Sequence, residues 1–130
     1  MGAYYQAHAR SLADPEGYWG DAAAGIDWER PFDRVLDDSR PPFYRWFPGG
    51  VLNTCHNAVD RHVAAGRGEQ VALIYDSPVT GTVRRFTYRE LRDEAARVAG
   101  GLLSLGVEKG DRVIVYMPMI PEAVVAMLAC

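Results

Sequence analysis

The feature that most constrains this chain is the pattern over residues 110–130. Residues 112–117 form an apolar, β-branched run of buried-strand length, and Pro118 and Pro121 end that run before an apolar helix. This order predicts a strand, a tight connection and a helix, which together are the first part of a parallel α/β unit. The helix is still apolar at Cys130, and no second strand follows. We therefore interpret the sequence as the N-terminal piece of a larger α/β protein.

Composition and charge narrow the class of protein. Of the 130 residues 48% are apolar and 24% are charged, as in an ordinary globular protein. The net charge of -3 and the scattered basic residues argue against binding to nucleic acid or to a membrane surface. No signal peptide or membrane span is evident, and two cysteines, Cys55 and Cys130, are too few for a disulfide framework. These features predict a cytoplasmic protein.

Two short amphipathic helices are predicted at the N-terminus. The first covers residues 3–13, and the second begins at Pro15 with Asp14 as its N-cap and ends at Gly25. One side of the first helix carries aromatic and apolar residues, namely Tyr4, Tyr5, His8 and Leu12. Both helices are expected to need a larger body to pack on.

Residues 26–50 combine frequent prolines with a high density of aromatic side chains. The prolines prevent long helices, but disordered linkers lack so many aromatic residues. We therefore predict an ordered strap that runs over a larger domain, and residues 44–47 could pair as an edge strand. The aromatic residues are Trp28, Phe32, Phe43, Tyr44, Trp46 and Phe47.

The next part of the chain predicts a helix and a β-hairpin. Asn53 and Thr54 offer an N-cap for a helix that continues to about residue 65. Residues 70–75 and 83–86 read as two strands joined by a Pro- and Gly-containing turn, and the simplest arrangement is a hairpin.

The clearest local signal is a capping box. The hydroxyl of Thr87 is expected to accept from the Glu90 amide, while the Glu90 carboxylate reaches back to the Thr87 amide. Apolar residues then recur at helical spacing for about five turns, and Gly106 ends the helix. The stripe consists of Tyr88, Leu91, Ala95, Val98, Leu102 and Leu105.

Four groups of residues could form sites, and each has a structural alternative. Residues 80–82 could cradle a phosphate, but a strand rather than a helix follows, so a hairpin turn is favoured. Cys55, His56, Asp60 and His62 could suggest a metal site, yet at most two share a helix face, which favours ordinary packing.

The other two groups are basic and apolar. Arg84 and Arg85 could grip a phosphate, although two arginines on a strand are more often a solvated face. Residues 117–119 follow the predicted strand at the edge where ligands bind in open α/β sheets, although Met117 and Met119 are more simply core residues. Nucleophilic catalysis finds no support in any Ser or Cys signature.

The chain resembles, along nearly its whole length, the short-chain acyl-CoA synthetases of the AMP-forming class, the acetyl- and propionyl-CoA ligases. Within that family, residues 38–47 and 55–58 are more similar to propionate-CoA ligases. The resemblance to the family as a whole is carried by Tyr18-Trp19 with residues 26–28, Asn53 with residues 57–62, and residues 86–91, 116–123 and 126–130.

The resemblance implies an α/β fold, specifically an incomplete N-terminal portion of the large domain of an acyl-adenylating enzyme. Residues 1–50 would be the helical and irregular N-terminal extension, and residues 51–130 the truncated start of the AMP-binding domain. The family uses ATP, CoA and Mg²⁺ to convert a short-chain carboxylate to an acyl-adenylate and then a thioester. Its phosphate loop, adenine-binding region and catalytic lysine match nothing in this chain.

We therefore assign no catalytic, cofactor-binding or metal-binding residue. The expected function is that of an N-terminal fragment of a propionate-CoA ligase, inactive alone and binding no cofactor productively without the C-terminal remainder of the enzyme. The alternatives are a fragment of an acetate-CoA ligase and a stand-alone, non-catalytic interaction module. Neither nucleic acid nor a membrane is expected as a partner.

Overall fold

The computed structural model describes residues 2–130 and divides the chain into two compact units. One unit ends at Asn53 and the other begins at Thr54. The first unit holds two helices and a small sheet. The second holds a hairpin, two further helices and a helical segment with π-type turns.

Both predicted N-terminal helices are confirmed. Helix α1 spans Ala3–Ala13 and helix α2 spans Pro15–Ala23. The chain changes direction at Asp14, whose carboxylate accepts from the amide of Gly17 at 3.0 Å. Proline at the first position of α2 forfeits no hydrogen bond, because that amide has no partner within the helix. No residue of α1 is buried, so its aromatic side is exposed.

The aromatic strap is ordered. Strands β1 (Leu36–Asp37) and β2 (Arg45–Trp46) pair antiparallel, as expected for an edge strand within residues 44–47. Trp28 lies 5.1 Å from Phe32 and 5.7 Å from Phe47 between ring centroids, and its indole Nε1 donates to the Ala23 carbonyl at 3.0 Å. These ring contacts stabilise a proline-rich segment that has little regular secondary structure.

The second unit begins with the predicted helix, but its geometry differs from expectation. Helical backbone starts at Thr54, and two stretches, His56–Asp60 and Val63–Arg67, adopt the wider π-type turn. The segment ends where Gly66 takes a φ of 80°, a left-handed conformation that glycine adopts without steric cost. The prediction that the helix continues to about residue 65 is therefore confirmed, whereas the widened turns had no sequence signal.

The hairpin and the capped helix are confirmed. Strands β3 (Val71–Ser77) and β4 (Thr82–Thr87) pair antiparallel. Helix α3 covers Tyr88–Ser104 and begins with the complete capping box, in which the Glu90 amide donates to Thr87 Oγ1 at 3.2 Å. Helix α4 covers Pro121–Ala129.

The core of the second unit lies where α3 meets the π-type segment, the hairpin and α4. Its buried members are Val59, Leu91 and Val125. Partly buried neighbours complete the cluster, namely Cys55, Ala72, Leu73, Tyr88 and Leu128. The predicted five-turn apolar stripe on α3 is buried only near the start of the helix. Leu105, at the far end of the stripe, is 81% exposed.

The strand predicted over residues 112–117 is not formed. This segment has no regular secondary structure, and Ile114 and Tyr116 are 89% and 99% exposed. A β-strand exists only through hydrogen bonds to a neighbouring strand, and none of residues 2–130 pairs with this segment. The expectation of a buried strand is therefore wrong for this chain.

Candidate functional site

The loop between β3 and β4 is a hairpin turn rather than a phosphate cradle. Gly81 has a φ of 63°, and the Thr80 amide donates to Ser77 Oγ at 3.3 Å. Thr82 Oγ1 donates to the Thr80 carbonyl at 3.4 Å. These contacts close the turn on itself, and strand β4 follows directly. This geometry fits the prediction that residues 80–82 form a hairpin turn.

The Cys and His residues of the first helical segment do not converge. Within residues 2–130, no group of three metal-ligating side chains is close enough to hold an ion. His62 instead lies edge-on to Tyr88, with 4.8 Å between ring centroids, and its Nδ1 contacts the Arg67 guanidinium. Loss of solvation, with the charges of Arg67 and Arg61, lowers the pKa of His62. A neutral imidazole is thus favoured at this position.

Cys55 packs against the core of the second unit. It is half-buried, and this burial, together with the charge of Asp60, raises the pKa of its thiol. A raised pKa keeps the sulfur protonated, whereas nucleophilic or metal-binding sulfur must be a thiolate. The side chain is suited to packing.

Arg84 has a structural partner. Its Nη1 lies 3.4 Å from Glu122 Oε1 on α4, and its guanidinium lies 4.7 Å from the centroid of the Phe86 ring. Arg84 therefore links the hairpin to α4. Arg85 is exposed on the strand and stands opposite Ile74. The two arginines point to opposite faces of the hairpin, so they do not form a joint phosphate grip.

The segment before α4 is open to solvent. Met117 is 49% exposed and Met119 is 90% exposed, so the preferred interpretation of these side chains as core residues is wrong for this chain. Pro121 at the start of α4 is buried. Residues 117–119 contribute apolar surface and no group that could act as a general acid or base.

One concave site was missed by sequence reasoning. A cavity of about 350 Å³ lies beside the β1–β2 pair in the first unit. It is lined by Asp37, Ser39, Arg40, Phe43 and Arg45. The only sequence signal was a pair of arginines flanking two prolines. Sequence spacing does not show that antiparallel pairing sets Asp37 opposite Arg45.

No helix in the part of the chain that the structure describes is both long enough and apolar enough to cross a bilayer.

Comparison with known protein families divides the chain between two models. Residues 4–58 match the family described as acetyl-coenzyme A synthetase N-terminus, and residues 60–130 match the family described as AMP-binding enzyme. The second match alone covers more than half of the chain. The chain belongs to the AMP-binding enzyme family.

The relatives of this family member are short-chain acyl-CoA synthetases. Human acyl-CoA synthetase short-chain family member 3, mitochondrial, is 49% identical over 130 residues, which are 99% of this chain and 19% of the relative. Propionate-CoA ligase of Salmonella typhimurium is 54% identical over 127 residues, or 98% of this chain and 20% of the relative. Acetyl-coenzyme A synthetase of Thiobacillus denitrificans is 54% identical over 131 residues, with coverage of 100% and 20%.

A solved structure agrees with these relatives. Acetoacetyl-CoA synthetase from Streptomyces lividans matches with a TM-score of 0.81 and 37% identity over 99% of this chain and 20% of that protein. The resemblance to short-chain acyl-CoA synthetases and the fold of an N-terminal portion of an acyl-adenylating enzyme are therefore confirmed. The chain spans about a fifth of the length of these relatives.

Proposed function

We propose that this chain is the N-terminal portion of an AMP-forming propionate-CoA ligase. Such an enzyme converts propionate and ATP to an acyl-adenylate and pyrophosphate, and CoA then displaces AMP to give propionyl-CoA. The observation that carries the ligase part of the proposal is the 54% identity to a propionate-CoA ligase over 98% of the chain. Residues 38–47 and 55–58, which resemble propionate-CoA ligases more than acetate-CoA ligases, support the choice of substrate.

Acetate is the second candidate substrate, because an acetyl-coenzyme A synthetase is also 54% identical to the chain. The residues that favour propionate belong to the scaffold and not to an acyl pocket. The test is kcat/KM for propionate and acetate, measured on the longest protein that the coding DNA specifies. A higher value for propionate supports the proposal, and a higher value for acetate replaces it with the acetate ligase.

Within that enzyme, we propose that residues 1–50 are the N-terminal extension and residues 51–130 the start of the large domain. Support comes from the compact unit that ends at Asn53 and from the boundary between the two family matches, at residues 58 and 60. This division of the chain is the same whether the substrate is propionate or acetate.

The 130-residue chain alone is proposed to be inactive. Phosphoryl and adenylyl chemistry builds negative charge that donors and Mg²⁺ must meet. The described residues offer no clustered set of metal ligands, and the thiol of Cys55 is held in its protonated form. ATP, CoA and Mg²⁺ would be bound by the remainder of the enzyme. Formation of propionyl-CoA by the purified chain from ATP, CoA and propionate would refute this.

An interaction module is the rival proposal from a different class. It is favoured by the exposed apolar segment that includes Ile114, Met117 and Met119. Reading the coding DNA downstream of Cys130 separates the two. An in-frame continuation with a Ser/Thr/Gly-rich loop supports the ligase, whereas an immediate stop codon supports the module. For either function we propose the cytoplasm as the location, and a fluorescent fusion would test it.

A further inference from the structure

The cavity beside the β1–β2 pair has the size of a small-molecule site and a mostly polar lining. Its volume of about 350 Å³ is at the lower end of the range that such sites occupy. Four of its five lining residues carry polar or charged side chains, and the fifth is Phe43. Two prolines, Pro41 and Pro42, lie within the loop and restrict its backbone.

The Asp37 carboxylate of this cavity is held in place by its neighbours. The Asp37 side chain is only 13% exposed, and its Oδ1 accepts from the Ser39 amide at 3.2 Å. Its Oδ2 lies 3.6 Å from Arg34 Nη2. Hydrogen bonds from Ser39, followed by the charges of Arg34 and Arg45, lower the pKa of Asp37. Asp37 is therefore an anion that Ser39 and Arg34 hold at the edge of the cavity.

Positive charge exceeds negative charge around the cavity. Two lining residues, Arg40 and Arg45, are basic, and Asp37 supplies the single lining carboxylate, whereas Arg34 and Asp38 do not line the cavity. Among residues 2–130, Arg40 has no ion pair. An arginine in this state has free donors in a fork that matches a phosphate or carboxylate group.

Phe43 adds a flat apolar surface next to these donors. Its side chain is 79% exposed, and its amide donates to the Arg40 carbonyl at 2.8 Å, which fixes the turn that carries both residues. An exposed aromatic face beside a guanidinium suits a ligand that has both a ring and an anionic group.

We propose that this cavity binds a small molecule in which a flat ring carries a phosphate or carboxylate group. Arg40 and Arg45 bind the anionic group, and Phe43 stacks on the ring. This proposal does not rest on the proposed ligase function.

The test is isothermal titration of the protein as its coding DNA specifies it, whether 130 residues or longer, with uridine monophosphate. Saturable binding is expected, and the double variant Arg40→Gln/Arg45→Gln is expected to weaken it by about tenfold or more. Arg97→Gln is the matched control. Arg97 is an exposed arginine on α3 that pairs with Glu94, and its loss should change the affinity less than about twofold.

Two further ligands and one further variant identify the chemistry. Inorganic phosphate should bind more weakly than uridine monophosphate, and Phe43→Ala should weaken only the nucleotide. Benzoate that binds as well as the nucleotide would identify a carboxylate as the anionic group and support the same site. Far-UV circular dichroism verifies that each variant is folded, and Arg40→Lys, which keeps the charge, should bind with intermediate affinity.

Several outcomes would overturn the proposal. These are no saturable binding of either ring compound, equal loss of affinity in the double variant and in Arg97→Gln, or phosphate binding as tight as nucleotide binding. None of them bears on propionyl-CoA formation, so this proposal and the proposed function fail independently.

Discussion

At the scale of single residues, one packing constraint is the close approach of Gly50 to Trp28. A Cβ added at Gly50 would lie 2.6 Å from Trp28 Cζ3 and 3.1 Å from the Phe47 carbonyl oxygen. Trp28 cannot easily move, because it packs on two other rings and its indole is hydrogen-bonded to Ala23. A glycine is required here for space and not for backbone conformation.

Gly50→Ala is therefore expected to lower the free energy of unfolding by about 1–3 kcal/mol, the usual cost of overpacking. The matched control is Gly100→Ala in the middle of α3, where an added Cβ meets no atom within 4 Å. That change should stabilise the helix by about 0.5–1 kcal/mol. Urea unfolding measures both, and equal effects of the two substitutions would contradict the packing argument.

His62 predicts a pH dependence whose sign follows from its environment. Its folded-state pKa lies below the usual value of 6.5, so at mildly acidic pH the unfolded chain binds more protons than the folded chain. The contribution of His62 to stability is fully present above pH 6.5. It is lost as the pH falls through the lowered folded-state pKa. The free energy of unfolding should therefore decrease as the pH is lowered from 7 to 5.

His62→Gln should reduce that slope because glutamine does not titrate. NMR titration of the His62 ring gives an independent value. A midpoint at or above 6.5 would show that the folded structure does not disfavour the charged imidazole.

At the scale of elements, the start of α3 depends on one side-chain cap. Thr87 Oγ1 accepts from the Glu90 amide at 3.2 Å, and the Thr87 amide donates to the Glu90 carboxylate at 2.8 Å. Helix α3 contributes Leu91 and Ala95 to the buried residues, so fraying at its first turn would reach the core.

Thr87→Ala should cost about 1 kcal/mol of stability, since it leaves the Glu90 amide without its acceptor. Thr87→Ser keeps the acceptor and should retain most of the stability. Chemical unfolding of the two variants side by side provides the measurement. If serine were as destabilising as alanine, the loss would come from the missing methyl group and not from the cap.

Elements with local signals were predictable, whereas those that depend on distant partners were not. The capping box and the turn at Gly81 both follow from neighbouring residues. The fate of residues 112–117 depends on strands elsewhere, and an apolar sequence alone does not supply them. The cavity depends on the register that sets Asp37 opposite Arg45, which no spacing rule reveals.

At the scale of the whole molecule, little apolar surface is removed from water. Besides Pro121, the apolar residues that are buried in the described part of the chain are Ala23, Val59, Leu91, Ala95 and Val125. Full burial of a large apolar side chain contributes only about 1.5–3 kcal/mol, and conformational entropy opposes it. We expect the 130-residue chain by itself to be marginally stable or prone to aggregate. A cooperative melt of a monomer above about 60 °C would contradict this.

The segment around Ile114 offers a test of what the exposed apolar surface is for. Ile114 is 89% exposed in this chain, so Ile114→Asp should leave its stability within about 0.5 kcal/mol and improve its solubility. If residues 112–117 form a buried strand in a longer ligase, the same change would place a charge in its interior and prevent folding.

Val79→Asp is the control for that comparison, because Val79 is 93% exposed in the turn between β3 and β4 and should tolerate the charge in either context. The measurement is the yield of folded protein and its unfolding midpoint, for the 130-residue chain and for the longer protein. Loss of folding by Ile114→Asp only in the longer protein would support the ligase. Equal tolerance in both would mean that the segment stays on the surface, which favours the interaction module.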